Sequence, residues 1–491
     1  MTFQQSFRLF SSTVLLLVSF STVEAEITTE PLLHPNNLLY LGAFRLPPGF
    51  DYAKGGLTYY PDHNSLFINN QNNKISEVSI PEAIKSYNPS ILKTATRLQS
   101  SEDITEGNLN KLRSGGKVEG TEVNIGDILV YEDKLIGNAY IYYDAGYNAA
   151  LSHFTSELTL GNTGDFRGMY KVGTLNPGFY SGFMAHIPPK WQTLFGGPVL
   201  TGGCCFPIIS RTSSGPSAFV FDPDDLGVET PVSATPLLYY DQTHETLGKW
   251  SNREKINLRF NMTAGVASAV FPVGFRSVLY FGGIGTSVPC YGESTRDKSK
   301  DRKHVSGSSE VIYCYDPINP YKGNHAYPYK PWIWAYDAND LVAVKDGLKK
   351  PWEVLPYDVW EFSDMPSVPG FSSGILGVAY DSKTQRLYIA QNNADRLVAR
   401  ASEFNRSPII QVFQINDASP VINPIPVQAP SVTTSAPTPV STHASPKKSV
   451  GVTEVKAPKA HDVTPSINSD EPSSVVLFFK FLLRLIFLPL F

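Results

Sequence analysis

Apolar and polar residues alternate along much of the chain in short runs broken by turn residues, and one such run recurs. Gly56–Gln71 reads GLTYYPDHNSLFINNQ and Gly377–Asn392 reads GVAYDSKTQRLYIAQN. Each predicts a strand closing on Tyr, a turn and a second strand. Ser268–Gly283 (SAVFPVGFRSVLYFGG) is a third version, and Gly126–Ile141 (GDILVYEDKLIGNAYI) is a fourth with a shorter turn. Met184–Gly203 is a longer and weaker fifth. A second pattern follows the first. Ser217–Leu226 and Trp332–Leu341 share an Asp-x-x-Asp-Leu end, while Lys74–Glu82 and Ile409–Asp417 read as outer strands. Period-two patterning between turns makes each unit a small antiparallel sheet.

Sheets too small to fold alone bury their faces by stacking on one another. The expected fold is therefore all-β, a β-propeller of about five or six four-stranded antiparallel blades. Tyr40–Pro47 (YLGAFRLP) is expected to pair with the terminal blade. A β-sandwich would also space strands evenly, but its strands need not repeat in sequence.

Two clusters of side-chain amides sit behind the second strands of the best-matched units: Asn70, Gln71, Asn72 and Asn73, then Gln391, Asn392 and Asn393. In a blade the second strand ends on the same side as the crossovers between blades, so both clusters are expected at one mouth of the ring. Gly202-Gly203 and Gly282-Gly283 hold comparable places and are expected to leave open space there. An amide offers a donor and an acceptor on one group, which suits adjacent sugar hydroxyls. The plainer reading is that these residues satisfy turn backbone.

Composition narrows the classes. The net charge of −4, from 41 basic and 45 acidic residues, lacks the basic excess of a nucleic-acid binder. With 37 Gly, 38 Pro and only 18% charged residues, short turns dominate over helices.

The ends differ from the middle. Arg8, the apolar run Thr13–Phe20 and Val23-Glu24-Ala25 form a secretory signal over residues 1–25. Residues 26–416 are the propeller domain. From 417 to 474, Pro, Ser, Thr, Val and Ala dominate, which predicts a disordered stalk. Residues 475–491 are apolar except for Lys480, Arg484 and Pro489. Their apolar residues favour insertion by roughly 4 to 8 kcal/mol and the two cations cost roughly 5 to 7. A plain span is thus marginal, and a helix lying in the membrane interface, with both cations on one face, is the expected attachment.

Export makes the four cysteines disulfide candidates. Cys290 and Cys314 bracket a charged loop, and closing it would stabilise the fold by roughly 3 kcal/mol. Cys204 and Cys205 are adjacent and could join each other or the other two, leaving three pairings open. Asn261 and Asn405 begin N-glycosylation triplets.

Catalytic signals are sparse. Nine histidines show no metal-ligand spacing, so no metal and no cofactor are expected. His153, His186, Arg211 and Tyr143 are the catalytic candidates, with Arg276 as a second cation, because Arg can neutralise a uronate carboxylate while His or Tyr removes the neighbouring proton. Gly370–Gly374 matches GxSxG but lacks the flanking strand and helix of a nucleophile elbow. Asp222–Gly227 departs from a calcium loop and reads better as a strand-end turn.

Phe44–Ile68, Gly202–Gly227 and His325–Val344 resemble secreted bacterial propeller proteins with no assigned activity. The resemblance implies one intact domain over most of 38–416 and no particular chemistry. The favoured reading is a monomeric, exported, membrane-tethered propeller that binds a polar small molecule or glycan. The alternatives are a polysaccharide lyase or lactonase-type enzyme on the same scaffold, and a protein-interaction scaffold.

Overall fold

The computed structural model describes residues 29–416 apart from 51–54, 71, 114–115, 118–121, 143, 145, 206–210, 364, 366–373 and 398–406. The 1–25 leader, Gln71, Tyr143, Asn405, most of the Gly370–Gly374 motif, the stalk and the apolar tail lie outside the described residues. Among those described, no helix is long and apolar enough to cross a membrane.

The protein is mostly β. After β1 (Leu38–Arg45), the first sheet holds β2 (Leu57–Tyr60), β3 (Ser65–Asn69), β4 (Ile75–Ser79) and β5 (Arg97–Glu102). The second holds β6 (Val123–Tyr131), β7 (Lys134–Ile141), β8 (His153–Glu157) and β9 (Arg167–Tyr170). The third holds β10 (Phe183–His186), β11 (Val199–Gly202), β12 (Ala218–Phe221) and β13 (Thr235–Leu238), with α1 (Pro189–Phe195) between its first two strands. The fourth holds β14 (Gly265–Val270) and β15 (Ser277–Gly285). An excursion follows, made of β16 (Cys290–Thr295), β17 (Tyr313–Tyr315) and β18 (Gly323–His325). The fourth sheet then resumes with β19 (Tyr329–Asp337), α2 (Ala338–Lys345) and β20 (Asp358–Glu361). The fifth holds β21 (Ile375–Asp381), β22 (Arg386–Gln391) and β23 (Ile409–Ile415), and β1 is its fourth strand.

The repeated runs form matching hairpins. Leu57 faces Ile68 and Tyr60 faces Ser65 in the first sheet, as Val378 faces Ile389 and Tyr380 faces Leu387 in the fifth. Their turns end on Asn64 and Gln385 at φ 46° and 58°, left-handed backbone that bends the chain back into the ladder. Asp381 stabilises its turn by accepting from the Lys383 and Thr384 amides. The Asp-x-x-Asp-Leu ends are helix starts: Asp222 accepts from the Asp224 amide and Asp337 from the Asn339 amide.

The core is divided among the spaces between sheets. Leu66 and Ile68 pack with Tyr388 and Ala390 of the fifth sheet, while Phe67 joins Ile125, Ile128 and Leu135 of the second. Tyr280 and Trp334 face Phe183 and Leu200 of the third sheet, while Phe281 and Ile333 face Val378 and Ile389 of the fifth. Leu129 and Ile136 meet Met184, Val199 and Phe221 across the remaining gap. Alternate residues of one strand thus fill two different gaps, which is why these strands lack a polar face. The first strands lie beside one another: β2 against β6 and β21, β10 against β6 and β14, and β14 against β21.

The N-terminal strand completes the fifth sheet. Leu38 faces Ile415 and Arg45 faces Ile409, antiparallel along β23. The Arg45 guanidinium donates to the buried Asp395 carboxylate at 2.7 Å, and Asn37 and Asn416 bond through backbone and side chain at the other end. Phe44, fully buried, fills the gap between the first and fifth sheets. Of the three cysteine pairings open from sequence, the structure has Cys204–Cys205 and Cys290–Cys314.

Two outcomes follow from this packing. Phe44→Ala should lower the unfolding free energy by about 3–5 kcal/mol in a single cooperative transition; denaturant melts showing a loss below about 1 kcal/mol would mean that β1 is dispensable. Peptide mapping without reduction should find both disulfides intact and no alkylatable thiol among the four cysteines.

Candidate functional site

The second strands end at Asn69, Ile141, Gly202, Gly285 and Gln391, beside the starts of the first strands. Side chains and backbone link these ends across sheets. Asn73 donates to the Val123 carbonyl and accepts from the Ile125 amide, Asn138 donates to the Tyr180 carbonyl, and the Gly55 amide reaches Leu376. From this rim leave the segments 103–122, 142–152, 171–182, 203–217, 239–264 and 286–328. At the other end the first hairpin turns of the first, second and fifth sheets are short: 61–64, 132–133 and 382–385.

The described residues of the expected amide clusters lie at this rim, largely committed to the protein. Asn70 is buried, accepts from the Asn72 and Lys74 amides, and donates to Ser101. Asn73 stands at φ 56° and spends both ends of its amide on β6. Gln391 is buried and accepts from Gln411, and Asn392 and Asn393 are buried. Asn72 is exposed. Gly202, Gly203 and Gly282 do not open space. A side chain at Gly202 would strike Phe183 and the Ser217 carbonyl, one at Gly203 the Gly178 carbonyl, and one at Gly282 the Gly265 carbonyl. These glycines let neighbouring backbones touch.

Among the catalytic candidates, His153 and Arg211 belong to this rim. His153 is fully buried at the start of β8, with Nδ1 at 2.8 Å from Ser152 Oγ and Nε2 at 3.1 Å from Thr201 Oγ1, so it bridges the second and third sheets. Burial drives its pKa down to about 3, which keeps the ring neutral. Arg211 is buried, donates from Nε to the Asp144 carbonyl and lies over the Tyr147 ring, joining two rim loops. His186 and Arg276 sit at the opposite ends of their strands. His186 donates to the Val130 carbonyl, and Arg276 faces Asp337 at 3.4 Å. The Asn261 amide is buried and donates to the Asn257 and Gly285 carbonyls, so in the folded chain it is closed to glycosylation.

Sequence reasoning missed two polar clusters. Asp127 is buried, and its carboxylate accepts from the Met184 amide at 2.8 Å, the Ile128 amide at 2.9 Å, and the Gly56 and Leu57 amides. One side chain therefore ties together β2, β6 and β10. Burial pushes its pKa up to about 8 against the pull of the four donors. The signal was present: in the strand register the matching positions of the first and fifth sheets are Gly56 and Gly377, so a carboxylate stands where those repeats carry glycine. The second cluster is Asp316, His325 and Tyr329 under the excursion. Asp316 Oδ2 accepts from His325 Nδ1 at 2.9 Å and from the Tyr329 hydroxyl at 2.6 Å, and Oδ1 accepts from the Ile318 and Asn319 amides. Residues that scattered in sequence gave no pattern to find.

Asp127 and His153 act on stability with opposite signs. The raised pKa of Asp127 gives a contribution that is full below its ordinary value of 3.8 and lost as pH rises toward about 8. The depressed pKa of His153 gives one that is full above 6.5 and lost as pH falls toward about 3. From pH 6.5 to 8 Asp127 acts without His153, so denaturation midpoints should fall with pH, by at most about 1.4 kcal/mol per pH unit. Asp127→Asn should remove that slope while starting less stable, because an amide NH₂ would face backbone donors. A wild-type curve that stays flat across the window would mean that the carboxyl is ionised in the fold.

No protein-family model matches the sequence, and no curated protein is significantly similar to it.

Proposed function

We propose that the chain is a five-bladed β-propeller, closed by β1, that binds carbohydrate through the rim of long loops. Support for the ring comes from the two neighbours of each first strand and the apolar cluster shared by each adjacent pair of sheets. The observation that carries the binding reading is the division of labour at that rim. Asn70, Asn73 and Asn138 spend their amides largely on backbone, which holds the loops in place before a ligand arrives. Asn72 and the exposed ring of Tyr147 are left on the outside. Amide and aromatic surface on a rigid frame suits a ligand with many hydroxyls and flat apolar faces. Acid–base catalysis by His153 finds no support, since both ring nitrogens are engaged inside the protein and the ring stays neutral. Two disulfides suit an oxidising compartment, in keeping with export.

A broad glycan panel tests this reading. The wild-type protein should bind a subset of polysaccharides, and Asn72→Ala should weaken that binding about five- to tenfold, the value of roughly one hydrogen bond, at unchanged melting temperature. Binding to no glycan in the panel would overturn it.

A further inference from the structure

Two rim segments, 249–259 and 296–303, carry nine basic residues against three acidic ones, in a chain whose net charge is −4. They meet in space. The Arg253 guanidinium lies over the Tyr291 ring at 5.5 Å, and Arg302 donates to the Val288 and Pro289 carbonyls just before Tyr291. Arg253, Lys255, Arg259, Lys298, Lys300, Arg302 and Lys303 are exposed. Among the described residues, none of these seven has a carboxylate within the 4.0 Å of an ion pair. Elsewhere on the surface Lys93, Lys134, Lys330 and Lys349 do pair, with Glu82, Asp224, Glu361 and Asp340. Asp297 offsets part of the field of Lys300 and Lys303, but like charges gathered in such excess repel one another and are relieved by an anionic ligand.

The ground beneath the cations is ordered. β16 pairs in parallel with β17, Glu293 beside Tyr313 and Thr295 beside Tyr315. Side chains alternate along a strand, so Tyr291, Glu293, Tyr313 and Tyr315 share one face and the Cys290–Cys314 bridge lies on the other. Lys298 sits over Tyr315 at 5.9 Å and Lys300 over Tyr313 at 5.8 Å. The face is a row of tyrosine rings, each beside a cation, pinned by a disulfide and by the buried Asp316 cluster.

We infer that the rim's ligand is an anionic polysaccharide, bearing uronate or sulfate groups, that runs along this basic tyrosine row. The inference rests on the carbohydrate reading and names its class. Ring faces accept the flat apolar sides of sugars while the adjacent ammonium and guanidinium groups meet carboxylate or sulfate oxygens. A row of such pairs matches a repeating polymer. A membrane surface would instead call for protruding apolar side chains, and beside the cations only Ile256 and Leu258 are more than a third exposed along the 249–259 segment.

Calorimetry of the full chain with polygalacturonate, dextran sulfate and neutral dextran tests it, with phosphatidylserine vesicles as a fourth probe. Both anionic polymers should bind, with affinity falling steeply once ionic strength exceeds about 0.15 M. Lys298→Glu combined with Lys300→Glu should weaken them about tenfold or more, and Arg253→Glu should do the same from the other segment. These sites are exposed, so melting temperatures should hold. Equal binding of dextran and dextran sulfate, untouched by the charge reversals, would overturn the anionic class and leave the carbohydrate reading intact. Binding to vesicles and to no polysaccharide would overturn both.

Discussion

The first strand of each sheet has a partner on one side only, and its other edge faces the neighbouring first strands. An edge buried in this way carries backbone N–H groups that water cannot reach, and each must find an acceptor. Side chains supply them. The Val130 amide donates to Thr58 Oγ1, the Val378 amide to Ser268 Oγ, and the Gly56, Leu57 and Met184 amides to Asp127. These polar residues interrupt strands that are otherwise apolar on both faces. Without them the sheets could still stack, but with orphaned donors where the strands converge. The convergence of five first strands is therefore a hydrogen-bonding problem before it is a packing problem.

That constraint extends outward to the rim. Where the second strands end, Asn73, Asn138 and His153 each reach from one sheet to the next, and glycines at 202, 203 and 282 permit backbone contact that a side chain would block. Groups that look reactive in isolation are consumed in holding the frame. His153 is the plainest case: its position beside the rim invites a catalytic role, yet its burial and its two hydroxyl partners make it a neutral strut.

The hairpins were legible in the sequence because alternation and turn chemistry are local. Leu57–Tyr60 with Ser65–Asn69, and Ile375–Asp381 with Arg386–Gln391, are set by residues within a few positions of one another. The pairing of Tyr40–Pro47 with the last strand was legible too, since its apolar alternation had no local partner. The location of the amides could be read, but not their commitments, because the partners of Asn73 and Gln391 lie fifty and twenty residues away. Asp127 was visible as a charge where the matched repeats carry glycine. Its meaning required knowing that three sheets meet there. The charged segment between Cys290 and Cys314 read as a solvated loop, and the face shared by Tyr291, Tyr313 and Tyr315 depends on a parallel register that no local pattern encodes.

The same physics separates buried frame from charged surface. A buried amide with its donors and acceptors filled has nothing to offer a ligand, and exposing it would cost the hydrogen bonds it makes. An unpaired exposed cation is in the opposite position: it gains by finding an anion and loses little structure in doing so. On this rim the two kinds of residue occupy different loops. Asn70 and Asn73 of the first sheet and Gln391 of the fifth are hydrogen-bonded inside the protein, whereas among the described residues Arg253, Lys255, Lys298 and Lys300 have no carboxylate within ion-pair distance. Substitutions among the exposed cations of the excursion can therefore change the charge of this surface without disturbing the sheets that carry it.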